Sequence, residues 1–178
     1  MATLVIGQQN SGKSQFAEDL VLKYPAARRY YLATMKVLDD EGRERIKRHR
    51  AQREGKGFET IELEYGIDRA VEMINSPGES VVLLECIANL VGNEMYDNPD
   101  RKDLGENDFA QALMRDISFL ADHVAGLVIV TNEYIIDEMT DEETRKYISL
   151  IDLMNVRLKE YADKVYRIGD GWIKGTEE

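Results

Sequence analysis

The sequence predicts an α/β fold, a mostly parallel helix-flanked sheet closed by a short C-terminal antiparallel strand pair. Three observations carry this. Short apolar runs alternate with longer segments of helical periodicity, the pattern of crossover-connected parallel strands. The first run, Ala2-Thr3-Leu4-Val5-Ile6, is followed at once by a glycine-bounded loop and an amphipathic helix. Several of the runs end in a polar or acidic residue, where open α/β sheets keep their ligands.

The loop is Gly7-Gln8-Gln9-Asn10-Ser11-Gly12-Lys13-Ser14, which fits G-x-x-x-x-G-K-[ST]. Strand before and helix after are the context that a phosphate-binding loop requires, so the fold is expected to be P-loop NTPase-like. Gly7 and Gly12 let the backbone turn where a Cβ would clash. The loop N–H groups and the helix N-terminus then face an anion. Lys13 is expected to reach the β- and γ-phosphates of ATP or GTP, and the Ser14 hydroxyl to hold Mg²⁺. The plain alternative is a glycine turn before an ordinary helix, which chance seldom supplies with both flanks in place.

Length fits one globular domain over residues 1–178. No run of 18 apolar residues suggests a membrane span, and Met1 leads directly into the first strand, so no leader is expected. The single cysteine, Cys86, has no internal disulfide partner, and the expected location is cytoplasmic. Net charge is −11, from 23 basic and 34 acidic residues. That balance, with no aromatic-basic groove pattern, disfavours nucleic acid as a partner.

A second strand is expected over Arg28-Arg29-Tyr30-Tyr31-Leu32-Ala33, ending at Thr34. A helix over 39–54 follows. It is basic, with Arg43, Arg45, Lys47, Arg48, Arg50 and Arg53. Arg45, His49 and Arg53 stand at i, i+4 and i+8 and share a face. That face suits a polyphosphate, yet spacing alone favours a solvated charged helix with an incidental histidine. Phe58-Glu59-Thr60-Ile61-Glu62 reads as an edge strand, and 67–74 as a helix. Ser76-Pro77-Gly78-Glu79 is a turn. Ser80-Val81-Val82-Leu83-Leu84-Glu85 is a buried strand ending in a carboxylate, the place from which a phosphate-loop protein holds Mg²⁺ on its second side.

Residues 87–96 read as helical, and 97–107 as a polar loop or mobile lid. Phe109, Leu113, Ile117 and Leu120 predict a helix over 108–123. Leu127-Val128-Ile129-Val130-Thr131 is another buried strand, ending at Asn132-Glu133. A helix over 141–161 has the core face Tyr147, Ile151, Met154, Leu158, Tyr161. Lys164-Val165-Tyr166-Arg167-Ile168 and Trp172-Ile173-Lys174 form the closing strand pair across Gly169-Asp170-Gly171.

The chain resembles, almost end to end, the bifunctional adenosylcobinamide kinase / adenosylcobinamide-phosphate guanylyltransferase family. The resemblance rests on the phosphate loop, on Tyr31-Leu32-Ala33-Thr34, and on Leu38-Asp39-Asp40-Glu41 followed by Arg45-Ile46-Lys47-Arg48-His49-Arg50. Leu83-Leu84-Glu85-Cys86, Val130-Thr131-Asn132-Glu133, Arg145 with Tyr147, and Asn155 also match. It implies a kinase step on a corinoid, adenosylcobinamide, then transfer of GMP from GTP through a guanylyl-histidine. His49 matches that histidine, which reverses the solvated-helix reading. A neutral imidazole attacks an α-phosphorus well. Arg45 and Arg53 would stabilise the developing charge and lower the imidazole pKa. The resemblance also implies a homo-oligomer, a trimer.

The sequence departs from the family pattern at Gln8 and Asn10, across 134–139, at Ile148-Ser149, Asp152 and Arg157, and across 96–107. Two other function classes remain. One is a phosphate-loop kinase or nucleotidyltransferase for a different small molecule. The other is a nucleotide-binding protein with reduced catalysis, in which no covalent GMP would form.

Overall fold

The computed structural model describes residues 1–37, 40–136, 140–169 and 172–175; of Glu41, Arg45, His49, Gln52 and 172–175 it describes the backbone alone. Leu38-Asp39, 137–139 and Asp170-Gly171 therefore lie outside the described residues.

The elements run β1 (Ala2–Gly7), α1 (Lys13–Lys23), β2 (Arg28–Ala33), α2 (Asp40–Arg53), β3 (Phe58–Glu62). A 3-10 turn (Ile67–Arg69), α3 (Ala70–Met73), a second 3-10 turn (Pro77–Glu79), β4 (Ser80–Glu85) and α4 (Ile87–Tyr96) follow. Then come α5 (Glu106–His123), β5 (Gly126–Asn132), α6 (Glu142–Tyr161), β6 (Lys164–Gly169) and β7 (Trp172–Gly175). The strands form one sheet in the order β3-β2-β4-β5-β1-β6-β7. Every neighbouring pair is parallel except β6 with β7.

The apolar runs become central strands because both sheet faces are covered. Every residue of β1 and of β5 is buried. Helix α1 packs on β1, β5 and β4, while α4, α5 and α6 pack on one another and on the central strands. The face expected of α5 is buried through Phe109, Leu113, Ile117 and Leu120. In α6, Ile151, Met154 and Leu158 are buried as expected, but Tyr147 and Tyr161 are only partly so. Edge strand β3 buries only Ile61, between exposed Thr60 and Glu62.

One expectation changes and two gain detail. The helix over 67–74 shrinks to a 3-10 turn and the single turn α3. The closing pair is antiparallel as expected, and β6 also lies parallel beside β1, which widens the sheet. The stretch 97–105 is a loop, but a tied one. Arg101 Nη2 donates to Asp116 at 2.5 Å, and Arg101 lies 3.4 Å from Glu94, whose carboxylate is fully buried. Glu94 also accepts from Asn98 Nδ2 at 2.6 Å and from the Gly66 N–H at 2.9 Å. A buried carboxylate needs those partners, and together they moor the loop to α4, α5 and the turn at Gly66.

Candidate active site

The register brings the strand ends to one edge. Gly7 stands opposite Asn132, Ala33 opposite Glu85, and Glu85 opposite Val130. Past those ends the Thr34 N–H donates to Glu85 O at 3.1 Å, and the Glu133 N–H to Gly7 O at 3.0 Å. Thr34, Glu85, Asn132 and Glu133 thus meet at the C-terminal edge of the sheet, as expected of an open α/β fold.

The loop has the backbone its sequence calls for. Gly12 adopts φ 85° immediately before α1, and Asn10 adopts φ 61°, a left-handed conformation that asparagine tolerates better than most residues. Gly7 is needed for a different reason. A Cβ there would stand 2.4 Å from the Ile168 carbonyl oxygen and 2.9 Å from Ser11 Oγ. Lys13 is buried, and its Nζ donates to Gln8 O at 3.1 Å. The ammonium is folded back over the loop that its backbone helps to shape.

The P-loop strand and the acidic strand are not neighbours, because β5 runs between β1 and β4. Two inter-strand spacings are close to 10 Å, and α1 spans them. The Ser14 hydroxyl donates to Glu85 Oε1, while Glu85 Oε2 is buried with no hydrogen-bond partner among the described residues. Thr34 Oγ1 braces the chain beyond Glu85. It donates to Cys86 O at 2.9 Å and accepts from the Cys86 N–H at 2.8 Å.

The Arg53 guanidinium carbon lies 3.4 Å over the centre of the Tyr31 ring, and both side chains are buried. The charge faces an aromatic surface instead of water, and Nη1 has no hydrogen-bond partner among the described residues. The Tyr31 phenol is pushed well above its usual value, by burial first and then by Glu85, against the opposing pull of Arg53. Lys56 Nζ donates to the buried Glu18 carboxylate at 2.5 Å and fastens the turn after α2 to α1. Helix α2 carries residues 45 and 49 on the helical face that the spacing predicts; the side chains of Arg45 and His49 lie outside the described residues. Arg43, Lys47, Arg48 and Arg50 line the same cleft of about 1100 Å³ as Gly12, Lys13, Ser14, Tyr31, Arg53 and Glu85. A basic wall facing a phosphate loop concentrates polyphosphate.

Sequence reasoning missed what holds the far side of the site. Thr131 Oγ1 donates to Asn155 Oδ1 at 2.7 Å, and Asn155 Nδ2 donates to Asn132 O at 2.9 Å. Asn132 Nδ2 in turn donates to the Tyr134 hydroxyl at 3.0 Å. Tyr147, expected in the core, uses its hydroxyl to reach Ala88 O at 2.9 Å. A polar residue on an otherwise apolar helix face, as Asn155 is on α6, was the available signal. Its partners are 24 and 23 residues away.

The family described as cobinamide kinase / cobinamide phosphate guanyltransferase matches residues 3–174. The chain is 32% identical over 179 residues to the bifunctional adenosylcobalamin biosynthesis protein CobU of Escherichia coli K12, covering 96% of this chain and 97% of that one. It is 30% identical to the protein of the same name from Salmonella typhimurium LT2, with the same coverage. Among solved structures, the flagellar accessory protein FlaH from Methanocaldococcus jannaschii aligns at a TM-score of 0.48 and 14% identity, covering 98% of this chain and 75% of that one. A phosphate loop facing a basic helix, matched to one family along nearly the whole chain, leads to one conclusion: the protein is a member of the cobinamide kinase / cobinamide phosphate guanyltransferase family.

Proposed function

We propose that the protein phosphorylates the aminopropanol hydroxyl of adenosylcobinamide with a nucleoside triphosphate, then transfers GMP from GTP to the phosphorylated product. The observation that carries the reading is the pairing of Ser14 with Glu85 beside Lys13, inside a cleft walled by α2. In the kinase step the Gly7–Ser14 loop binds the β- and γ-phosphates through its N–H groups. The acceptor oxygen bonds to the γ-phosphorus as the β,γ-bridging P–O bond breaks. Lys13 turns from Gln8 O to the phosphate charge that shifts in this step.

Ser14 Oγ and Glu85 form a hard-oxygen pair that fits Mg²⁺. One carboxylate oxygen already meets the hydroxyl, and the other is buried without a partner among the described residues. Among those residues no cluster of three or more His, Cys, Asp or Glu is placed to hold a metal. Two protein oxygens, with phosphates and water completing the shell, are what Mg²⁺ accepts. When bound, the ion would neutralise charge on the β- and γ-oxygens.

For guanylyl transfer we assign His49 as the nucleophile. Its imidazole nitrogen bonds to the α-phosphorus of GTP and pyrophosphate leaves. A phosphate oxygen of the corinoid then displaces the histidine, the N–P bond breaks, and the imidazole is restored. Arg45 and Arg53 belong to the same nucleotide-binding set, and the fully buried Thr34 serves it by bracing the chain beyond Glu85 rather than by touching the nucleotide. Intact-protein mass spectrometry after incubation with GTP and Mg²⁺ tests the proposal. The expected result is one added GMP per chain. Unchanged mass, with GTP binding retained, would favour a kinase without guanylyl transfer.

A further inference from the structure

The nucleotide cleft adjoins two further hollows in series. Lys36 and Asn89 line both the cleft and a neighbouring hollow of about 590 Å³ between α4 and the start of α6. Tyr96 and Glu143 in turn line both that hollow and a third one of about 820 Å³, beyond the end of α4. The three hollows form one trough running from beside Glu85 along α4 to the surface.

We infer that this trough is the binding groove for the cobinamide acceptor, and that Asn89 and Tyr96 contact it. The inference rests on the cobinamide reading above. In-line transfer requires the attacking oxygen to approach the γ-phosphorus from the side opposite the β,γ-bridging oxygen. The α2 wall of the cleft carries the basic residues that suit the nucleotide. The acceptor therefore enters along α4.

The trough fits an amide-armed macrocycle in size and chemistry. A small hydroxylated substrate would fill one hollow, whereas two in series suit a large flat ligand. The outer hollow offers Lys102, Arg145 and Lys146 against Glu106, Glu142 and Glu143. Balanced charge suits a polar acceptor of low net charge better than a second polyphosphate. Tyr96 is 52% exposed at the junction of the two hollows, both of which Glu143 also lines. It presents a ring face to a planar ligand.

The walls are fixed before any ligand arrives. Asn93 Nδ2 donates to Thr34 O at 2.7 Å and to Glu64 O at 2.8 Å. Tyr147 is bonded to Ala88 O, and its ring lies 3.5 Å from where a Cβ on Gly92 would stand. Rigid walls hold an acceptor hydroxyl in line.

The test uses Asn89→Ala and Tyr96→Ala in the full chain, with steady-state cobinamide phosphorylation and calorimetric nucleotide binding. Each variant is expected to raise KM for cobinamide by roughly tenfold or more, the range for loss of one specific pocket contact. In Tyr96→Ala, whose side chain lies outside the nucleotide cleft, KM and Kd for the nucleoside triphosphate should stay within about twofold of the unmutated values. A cobinamide KM unchanged in both variants, or both KM values rising together in Tyr96→Ala, would overturn the inference. So would conversion of the variants to smaller particles in light scattering with cobinamide KM unchanged, since a second copy of the chain would then be what covers the trough. If the unmutated protein binds nucleotide but phosphorylates no cobinamide, the functional reading itself fails, and the groove assignment with it.

Discussion

In the proposed mechanism Lys13 and His49 divide the chemistry, and each can be tested alone. Lys13 touches the phosphate loop through Gln8 O and is not part of the apolar core. Lys13→Ala should therefore keep the fold and lose about 3 kcal/mol of transition-state stabilisation, roughly a hundredfold in kinase turnover. Turnover within tenfold of the unmutated protein would remove the phosphate-loop mechanism. For the transfer half-reaction, radiolabelled GTP should mark the unmutated protein and His123→Asn but not His49→Asn. His123 ends α5, with Nδ1 2.7 Å from Phe119 O, just before β5 begins. That is the sheet edge opposite the nucleotide. The label should be acid-labile and base-stable, as a phosphoramidate is. An acid-stable label, or one lost only in His123→Asn, would overturn the assignment.

Helix α6 shows how one element can carry both stability and site geometry. Its N-cap is Asp141, which accepts from the Thr144 N–H at 2.9 Å and from the Thr144 hydroxyl at 2.7 Å. These bonds, the backbone one foremost, hold the Asp141 carboxyl below its ordinary value. A carboxyl depressed in the folded state stabilises it above the unfolded pKa of about 3.9, and that contribution fades as pH falls through the lower folded value. Asp141→Asn keeps a cap acceptor without the titrating charge. It should accordingly lose less Tm than the unmutated protein between about pH 5 and about pH 3. Equal losses would mean that the cap contributes nothing through ionisation. Further along α6, Asn155 fixes the end of β5 and Tyr147 walls the trough. The strands and most helices of this fold were legible because apolar runs and 3.6-residue periodicity are local signals. So were Gly7, Gly12, Lys13 and Ser14, which lie within eight consecutive residues. The bonds from Asn155 to Thr131 and Asn132 were not, nor was the stacking of Arg53 on Tyr31. They join residues 22 to 24 positions apart, and no local pattern specifies them. The loop over 97–105 was legible from its polar composition, but its moorings to Glu94 and Asp116, on the helices on either side, were not.

At the scale of the whole molecule, a homo-oligomer remains our proposal, a trimer as the resemblance implies. Light scattering at micromolar concentration should give a multiple of 20.4 kDa; a particle of single-chain mass throughout would count against it. The strand order has a further consequence. β1 pairs with β5, which starts at Gly126, and with β6, which starts at Lys164. During synthesis β1 therefore waits for strands that lie far downstream of it. Until β5 has emerged, Leu4, Val5 and Ile6 have neither of the strands that flank them in the finished sheet. Such distant pairing slows folding and leaves an apolar edge waiting. A nascent chain stalled before Gly126 therefore carries the complete Gly7–Ser14 sequence but no sheet edge to hold it, and nucleotide can reward folding only once β5 and then β6 have emerged.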